Sequence, residues 1–179
     1  SIAHAGYLLM GVTVMTTDGI MAILIYLMFY LLKNIGAFFV VQLFANKINS
    51  VELDDYVGIG YKAPVLASLL TVFLVSLTGL PPTAGFIGKL FLFKAVLDQG
   101  WMWLALVGVL NSVVSLYFYV KVIRNMWLRG VDNENTPMVF GAIPQAVVYA
   151  LAIPTIFFGL YFTPIVKWAE HSVSLFIGK

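Results

Sequence analysis

Cysteine is absent, and histidine occurs only as His4 and His171, at opposite ends of a 179-residue chain. The first absence excludes a disulfide framework, a thiolate metal site, a cysteine-held iron–sulfur cluster and a thiol nucleophile. The second argues against any metal or haem centre held by this chain alone. Charge is scarce as well. Asp, Glu, Lys and Arg make up 10% of the chain, whereas a soluble domain carries about 25%. Hydrophobic residues account for 61% and the mean hydropathy is +0.98. This is the composition of an integral membrane protein, with the lipid bilayer as its solvent. The net charge of +2 is too small and scattered to suggest a nucleic-acid partner.

What is present falls into five apolar blocks. They cover residues 1–15, 20–43, 63–97, 101–127 and 144–165, and residues 166–179 form a mixed tail that reads as an interfacial helix. The expected fold is therefore all-α, a single polytopic transmembrane helix bundle. The first block is short for a crossing. The opening run Ser1-Ile2-Ala3-His4-Ala5-Gly6-Tyr7 has no initiator Met and no signal-peptide shape. It reads as the interior of a longer protein, or as a chain that pairs with a separate upstream piece.

The third block is long and is broken at Pro81, Pro82 and Gly85. Its second half, Phe86 to Leu97, reaches only ~18 Å at 1.5 Å per residue, short of the ~30 Å hydrocarbon layer. One crossing also places Lys47, Lys62, Arg124 and Arg129 on the same side, as the positive-inside rule asks. The expectation is one discontinuous helix.

All eight acidic residues (Asp18, Glu52, Asp54, Asp55, Asp98, Asp132, Glu134, Glu170) lie in connectors or the tail. Lys33 and Lys89 lie well inside apolar blocks. A charge there is costly, about 2.5–3.5 kcal/mol at a helix centre on insertion scales, and commonly marks an ion or proton path. Broken backbone is tolerated in hydrocarbon only when it is packed in protein or lines a wet cavity. Lys89, just after the break, combines both features and is the leading proton-relay candidate. Lys33 is the second and His4 a third, with ordinary helix-packing roles as the competing reading. Lys94 and Lys121 sit where a side chain can snorkel to the interface. Gly108, Asn111, Ser112 and Ser115 form a small polar stripe expected to act mainly as helix-packing glue. Thr71, Ser76 and Thr78 approach the break and are expected to satisfy its freed backbone groups. No site is drawn from the Phe, Tyr and Trp residues.

Three runs carry a resemblance: Ser1-Ile2-Ala3-His4-Ala5-Gly6-Tyr7-Leu8-Leu9, Asn34-Ile35-Gly36-Ala37-Phe38, and Leu77-Thr78-Gly79-Leu80-Pro81-Pro82-Thr83-Ala84-Gly85-Phe86-Ile87-Gly88-Lys89. They resemble the antiporter-like proton-pumping subunits of respiratory complex I, most of all the subunit N branch (subunit 2 in mitochondria). The resemblance extends over essentially the whole chain. It implies the C-terminal part of a 14-helix protein, with the second discontinuous helix at the Pro-Pro break. It further implies that Lys89 belongs to a hydrophilic axis along the membrane arm. Lys33 departs from the subunit N pattern, which is usually apolar there, and is similar to a lysine of the sister subunits M and L.

The implied activity is proton translocation coupled to NADH:quinone oxidoreduction elsewhere in the complex. NADH, FMN, iron–sulfur clusters and quinone are then cofactors of that complex and none is expected on this chain. The implied partners are the other membrane-arm subunits, including the N-terminal half. The implied location is a mitochondrial inner membrane, a bacterial cytoplasmic membrane or a thylakoid. Two alternatives stay open: a subunit of an Mrp-type cation/proton antiporter or membrane-bound hydrogenase, and a non-transporting scaffold whose lysines anchor partner helices.

Overall fold

The computed structural model describes residues 2–128 and 136–177. Ser1, Arg129, Asp132 and Glu134 lie outside them, as do the side chains of Phe176 and Ile177. The described chain is an all-α membrane bundle: α1 (Ile2–Val14), α2 (Thr17–Ile48), a 3-10 turn (Leu53–Tyr56), α3 (Ile59–Lys62), α4 (Pro64–Thr78), α5 (Ala84–Asp98), α6 (Met102–Trp127), α7 (Ala142–Leu160) and α8 (Thr163–Ile177). Three of these, α2, α6 and α7, are long and apolar enough to cross a membrane.

The axis of the bundle is α2. Its 32 residues run ~48 Å at 1.5 Å per residue, beyond the apolar block at both ends. It continues because no proline or glycine interrupts Ala37 to Ile48. It starts where the Thr16 side chain accepts the Gly19 amide at 3.1 Å and stops at Asn49, which is left-handed at φ 54. Against it pack α1, α4, α5, α7 and α8.

The third apolar block is interrupted. Pro64 opens α4 and Gly79 closes it in the left-handed region, φ 84. The Gly79 amide donates to Ser76 O at 3.1 Å and the Leu80 amide to Val75 O at 3.3 Å, the double closure of a Schellman end. Pro81 and Pro82 follow, and helix resumes at Ala84. The partners of α4 and α5 step steadily along α2. Phe44 and Val40 cluster with Leu66, Ala67 and Leu70, and Gly36 meets Phe73. Lys33 reaches Ser76, Gly88 packs on Tyr26, and Ala22 clusters with Leu92 and Val96. Thus α4 and α5 follow one another along α2, with the break at Pro81 and Pro82 between them.

The fifth apolar block is not one helix. α7 ends at Leu160, and α8 begins at Thr163 with Pro164 in its first turn, a position where a missing amide costs nothing. Ile165 and Ala169 of α8 cluster with Ile25 and Phe29 of α2. Lys167, Trp168, Glu170 and His171 are exposed.

Candidate functional site: two lysines at a broken helix

An α-helix leaves its last carbonyls unpaired and carries partial negative charge at that end. In α4 this end lies inside the bundle, and two ammonium groups occupy it. Lys89 Nζ donates to Thr78 O at 2.6 Å, and Lys33 Nζ donates to Ser76 O at 3.3 Å. Lys33 is fully buried and Lys89 nearly so, at 0% and 4% exposure. Among the described residues no carboxylate lies within ion-pair distance of either.

Local backbone makes this possible. Gly79 is needed twice: its φ disfavours other residues, and a Cβ there would lie 2.7 Å from Lys89 Cδ. Gly85, one turn before Lys89, donates its amide to the Ser76 hydroxyl at 3.2 Å. Ser76 therefore satisfies the break as expected of it. Thr71 and Thr78 do not act this way. Their hydroxyls donate to Ala67 O and Leu74 O within α4, the ordinary back-bonding of helical threonine. Thr78 contributes its carbonyl instead.

Each ammonium also faces an aromatic ring. Lys89 Nζ lies 4.5 Å from the centroid of Tyr7 and Lys33 Nζ 5.1 Å from that of Tyr26, distances at which cation–π attraction operates. Tyr26 connects Lys33 to His4, with its hydroxyl 2.6 Å from His4 Nδ1. The other ring nitrogen is 3.3 Å from the Tyr119 hydroxyl, and the ring lies 5.0 Å from Tyr30. His4 is thereby buried among tyrosines of α2 and α6, next to both lysine-bearing surfaces. The three sequence-predicted residues are linked through two tyrosines: His4 bonds Tyr26, which Lys33 faces, and the His4 ring lies 6.1 Å from that of Tyr7, which Lys89 faces.

Ser112, expected to act mainly as helix-packing glue, joins α6 to two other helices through its hydroxyl. It accepts from Lys89 Nζ at 3.0 Å and sits 2.6 Å from the Tyr7 hydroxyl. It can do so because α6 presents it across from α5 at a point where Gly108 allows close approach; a Cβ on Gly108 would lie 2.7 Å from Phe93. Tyr7, Tyr26 and Tyr119 were missed. A usable signal existed: Tyr26 and Lys33 are seven apart on α2, and Ser112 and Tyr119 seven apart on α6, so each pair shares a helix face.

Residues 1–115 match the family described as NADH:quinone oxidoreductase/Mrp antiporter, TM. The chain is 54% identical over 178 residues to NADH-quinone oxidoreductase subunit N 2 of Chloroherpeton thalassium, covering 98% of this chain and 35% of that protein. It is 51% identical over 181 residues to NADH-quinone oxidoreductase subunit N of Chlorobium chlorochromatii, with the same coverages, 98% and 35%. Among solved structures it resembles a chain of respiratory complex I from Thermus thermophilus with bound aureothin, at TM-score 0.74 and 28% identity over 93% of this chain and 37% of that one. It also resembles a chain of the Mrp complex from a Dietzia species, at TM-score 0.77 and 20% identity over 96% and 40%, a likeness of fold alone. The chain spans about a third of the length of the curated relatives it matches.

Proposed function

Because this chain belongs to the NADH:quinone oxidoreductase/Mrp antiporter transmembrane family, we propose that it moves protons within the membrane arm of an NADH–quinone oxidoreductase, with Lys89 and Lys33 as the groups that hold and release them and His4 beside them. The observation that carries this reading is the docking of both ammonium groups on the carbonyl end of α4. A lysine paired with a buried carboxylate cannot lose its proton without stranding an anion. A lysine held by carbonyls can, since the carbonyls remain neutral. The two lysines address one helix end, so a proton taken by either changes the electrostatics at the other. Quinone reduction elsewhere in such a complex would act on this pair through its field.

NADH, FMN, iron–sulfur clusters and quinone belong to the rest of that assembly in this reading. Its other membrane-arm subunits, and the part of the relatives' length that this chain does not span, are the partners. The relatives are bacterial, which favours a bacterial cytoplasmic membrane. In it, α2, α6, α7 and the α4–α5 pair each cross and α8 rests at the interface.

The test is Lys89→Ala in the intact assembly. Proton pumping should fall at least tenfold per electron transferred, with assembly on native gels preserved. Unchanged pumping with normal assembly would remove Lys89 from the path. Release of a partner subunit with pumping otherwise retained would favour the scaffold reading. Sodium-dependent transport without NADH or quinone turnover would favour an Mrp-type antiporter.

A further inference from the structure

Of the groups that touch the two lysines, most can accept a hydrogen bond but have no proton to hand on. Thr78 O and Ser76 O are backbone carbonyls, and the Tyr7 and Tyr26 rings meet the ammonium groups through their π faces. Among the hydrogen-bond partners of Lys33 and Lys89, Ser112 alone is a hydroxyl, able to receive a proton on one side while releasing its own on the other. It does not stand alone. Its oxygen is 2.6 Å from the Tyr7 hydroxyl, and both hydroxyls also reach Gly108 O, Tyr7 at 3.0 Å and Ser112 at 3.2 Å.

The surroundings give this pair a direction. Lys89 and Ser112 line one cleft of about 320 Å³ between α5 and α6, walled by Leu90, Phe93 and Val113. Tyr7 lines a second cavity of about 470 Å³ between α1 and α6, together with Gly6 and Asn111. Gly6 has nothing within 4 Å of where a Cβ would stand, and Tyr7 and Asn111 give this otherwise apolar space the two polar groups that a single water needs. The hydroxyls of Ser112 and Tyr7 thus stand between Lys89 and the α1–α6 cavity.

We propose that Ser112 and Tyr7 form a two-hydroxyl relay carrying protons between Lys89 and the cavity between α1 and α6. In the outward direction an N–H bond of the Lys89 ammonium breaks as an O–H bond forms on Ser112. The original Ser112 proton passes to the Tyr7 oxygen, and the original Tyr7 proton passes to a water molecule in the cavity. Lys89 is left as a neutral amine and both hydroxyls as hydroxyls; reversal reloads the lysine. This inference rests on the reading of Lys89 as a proton carrier.

The experiment compares Ser112→Ala, Ser112→Thr, Tyr7→Phe and Lys89→Ala in the intact assembly, measuring protons pumped per electron and the solvent deuterium isotope effect on pumping. Ser112→Ala and Tyr7→Phe should each lower the proton yield at least fivefold and change the isotope effect. Ser112→Thr, which keeps the hydroxyl, should restore most of the yield. Tyr7→Phe keeps the ring beneath the ammonium, so it decides the matter if Ser112→Ala fails to assemble. Parent-like pumping in Tyr7→Phe, with pumping lost in Lys89→Ala, would overturn the relay and leave Lys89 in place. Parent-like pumping in Lys89→Ala would overturn both.

Discussion

The Gly85 amide donates to the Ser76 hydroxyl at 3.2 Å across the break between α4 and α5, and this contact fixes how the second half-helix meets the first. Lys89 stands one turn beyond Gly85, so the same contact sets the height at which its ammonium reaches Thr78 O. Ser76 holds α5 by its side chain and receives Lys33 by its carbonyl. One buried residue thereby links both lysines.

A side chain at Gly85 would collide with the Ser76 carbonyl and come within 2.9 Å of Lys33 Nζ. Backbone cannot yield as a flexible side chain can, so the cost of Gly85→Ala should exceed the ~1–3 kcal/mol of ordinary overpacking. The expected outcome is a several-fold loss of assembled protein, read by native gel. Gly6→Ala, where nothing lies within 4 Å, is the control and should assemble as the parent does. Parent-like assembly of Gly85→Ala would mean that α4 and α5 can separate without loss.

Much of this arrangement is visible in the residues themselves. Pro81, Pro82 and Gly85 announce a broken helix, and Lys33 and Lys89 stand out as charges well inside their blocks, whereas Lys94 sits near enough to a block end to reach the interface. What the ammonium groups bind is not visible. Their partners on α4 are carbonyls, which every residue has, and only the aim of the α4 end selects Ser76 and Thr78. Ser112 was obscured for a related reason. A small hydroxyl beside Gly108 on an apolar helix fits close packing as well as proton transfer, and the difference lies in Lys89 and Tyr7, which arrive from other helices. The ends of α2 were obscured because hydropathy marks where a helix is apolar, whereas caps at Thr16 and Asn49 mark where it stops.

Gly36 tests the packing that brings α2 to α4. A Cβ there would meet the Phe73 ring, with Cε1 at 2.5 Å and Cε2 at 2.8 Å, and Phe73 is itself completely buried. Gly36→Ala should destabilise by about 1–3 kcal/mol, seen as a thermal midpoint several degrees lower for the detergent-solubilised assembly. Combining it with Phe73→Leu should recover part of the loss, because neighbours sharing one space are not additive. A double variant no better than Gly36→Ala would show that the strain falls on the backbone and not on the ring.

Lys33 separates stability from function. Its ammonium is wholly buried, and the effective desolvation penalty for such an ion is several kcal/mol. The compensation is one 3.3 Å bond to Ser76 O, a helix end worth up to about 2 kcal/mol to a buried cation, and the Tyr26 ring. Desolvation is the larger quantity. Lys33→Met, which keeps the length and flexibility of the side chain while removing the charge, should therefore leave the thermal midpoint unchanged or raised. If Lys33 carries protons, the same variant should lower the protons pumped per electron several-fold, since methionine cannot hold one. A lowered midpoint would show that capping of the α4 carbonyls outweighs desolvation, making the lysine a structural plug. An unchanged midpoint with unchanged pumping would leave Lys33 with neither role. Only retained stability with lost pumping places it in the path beside Lys89.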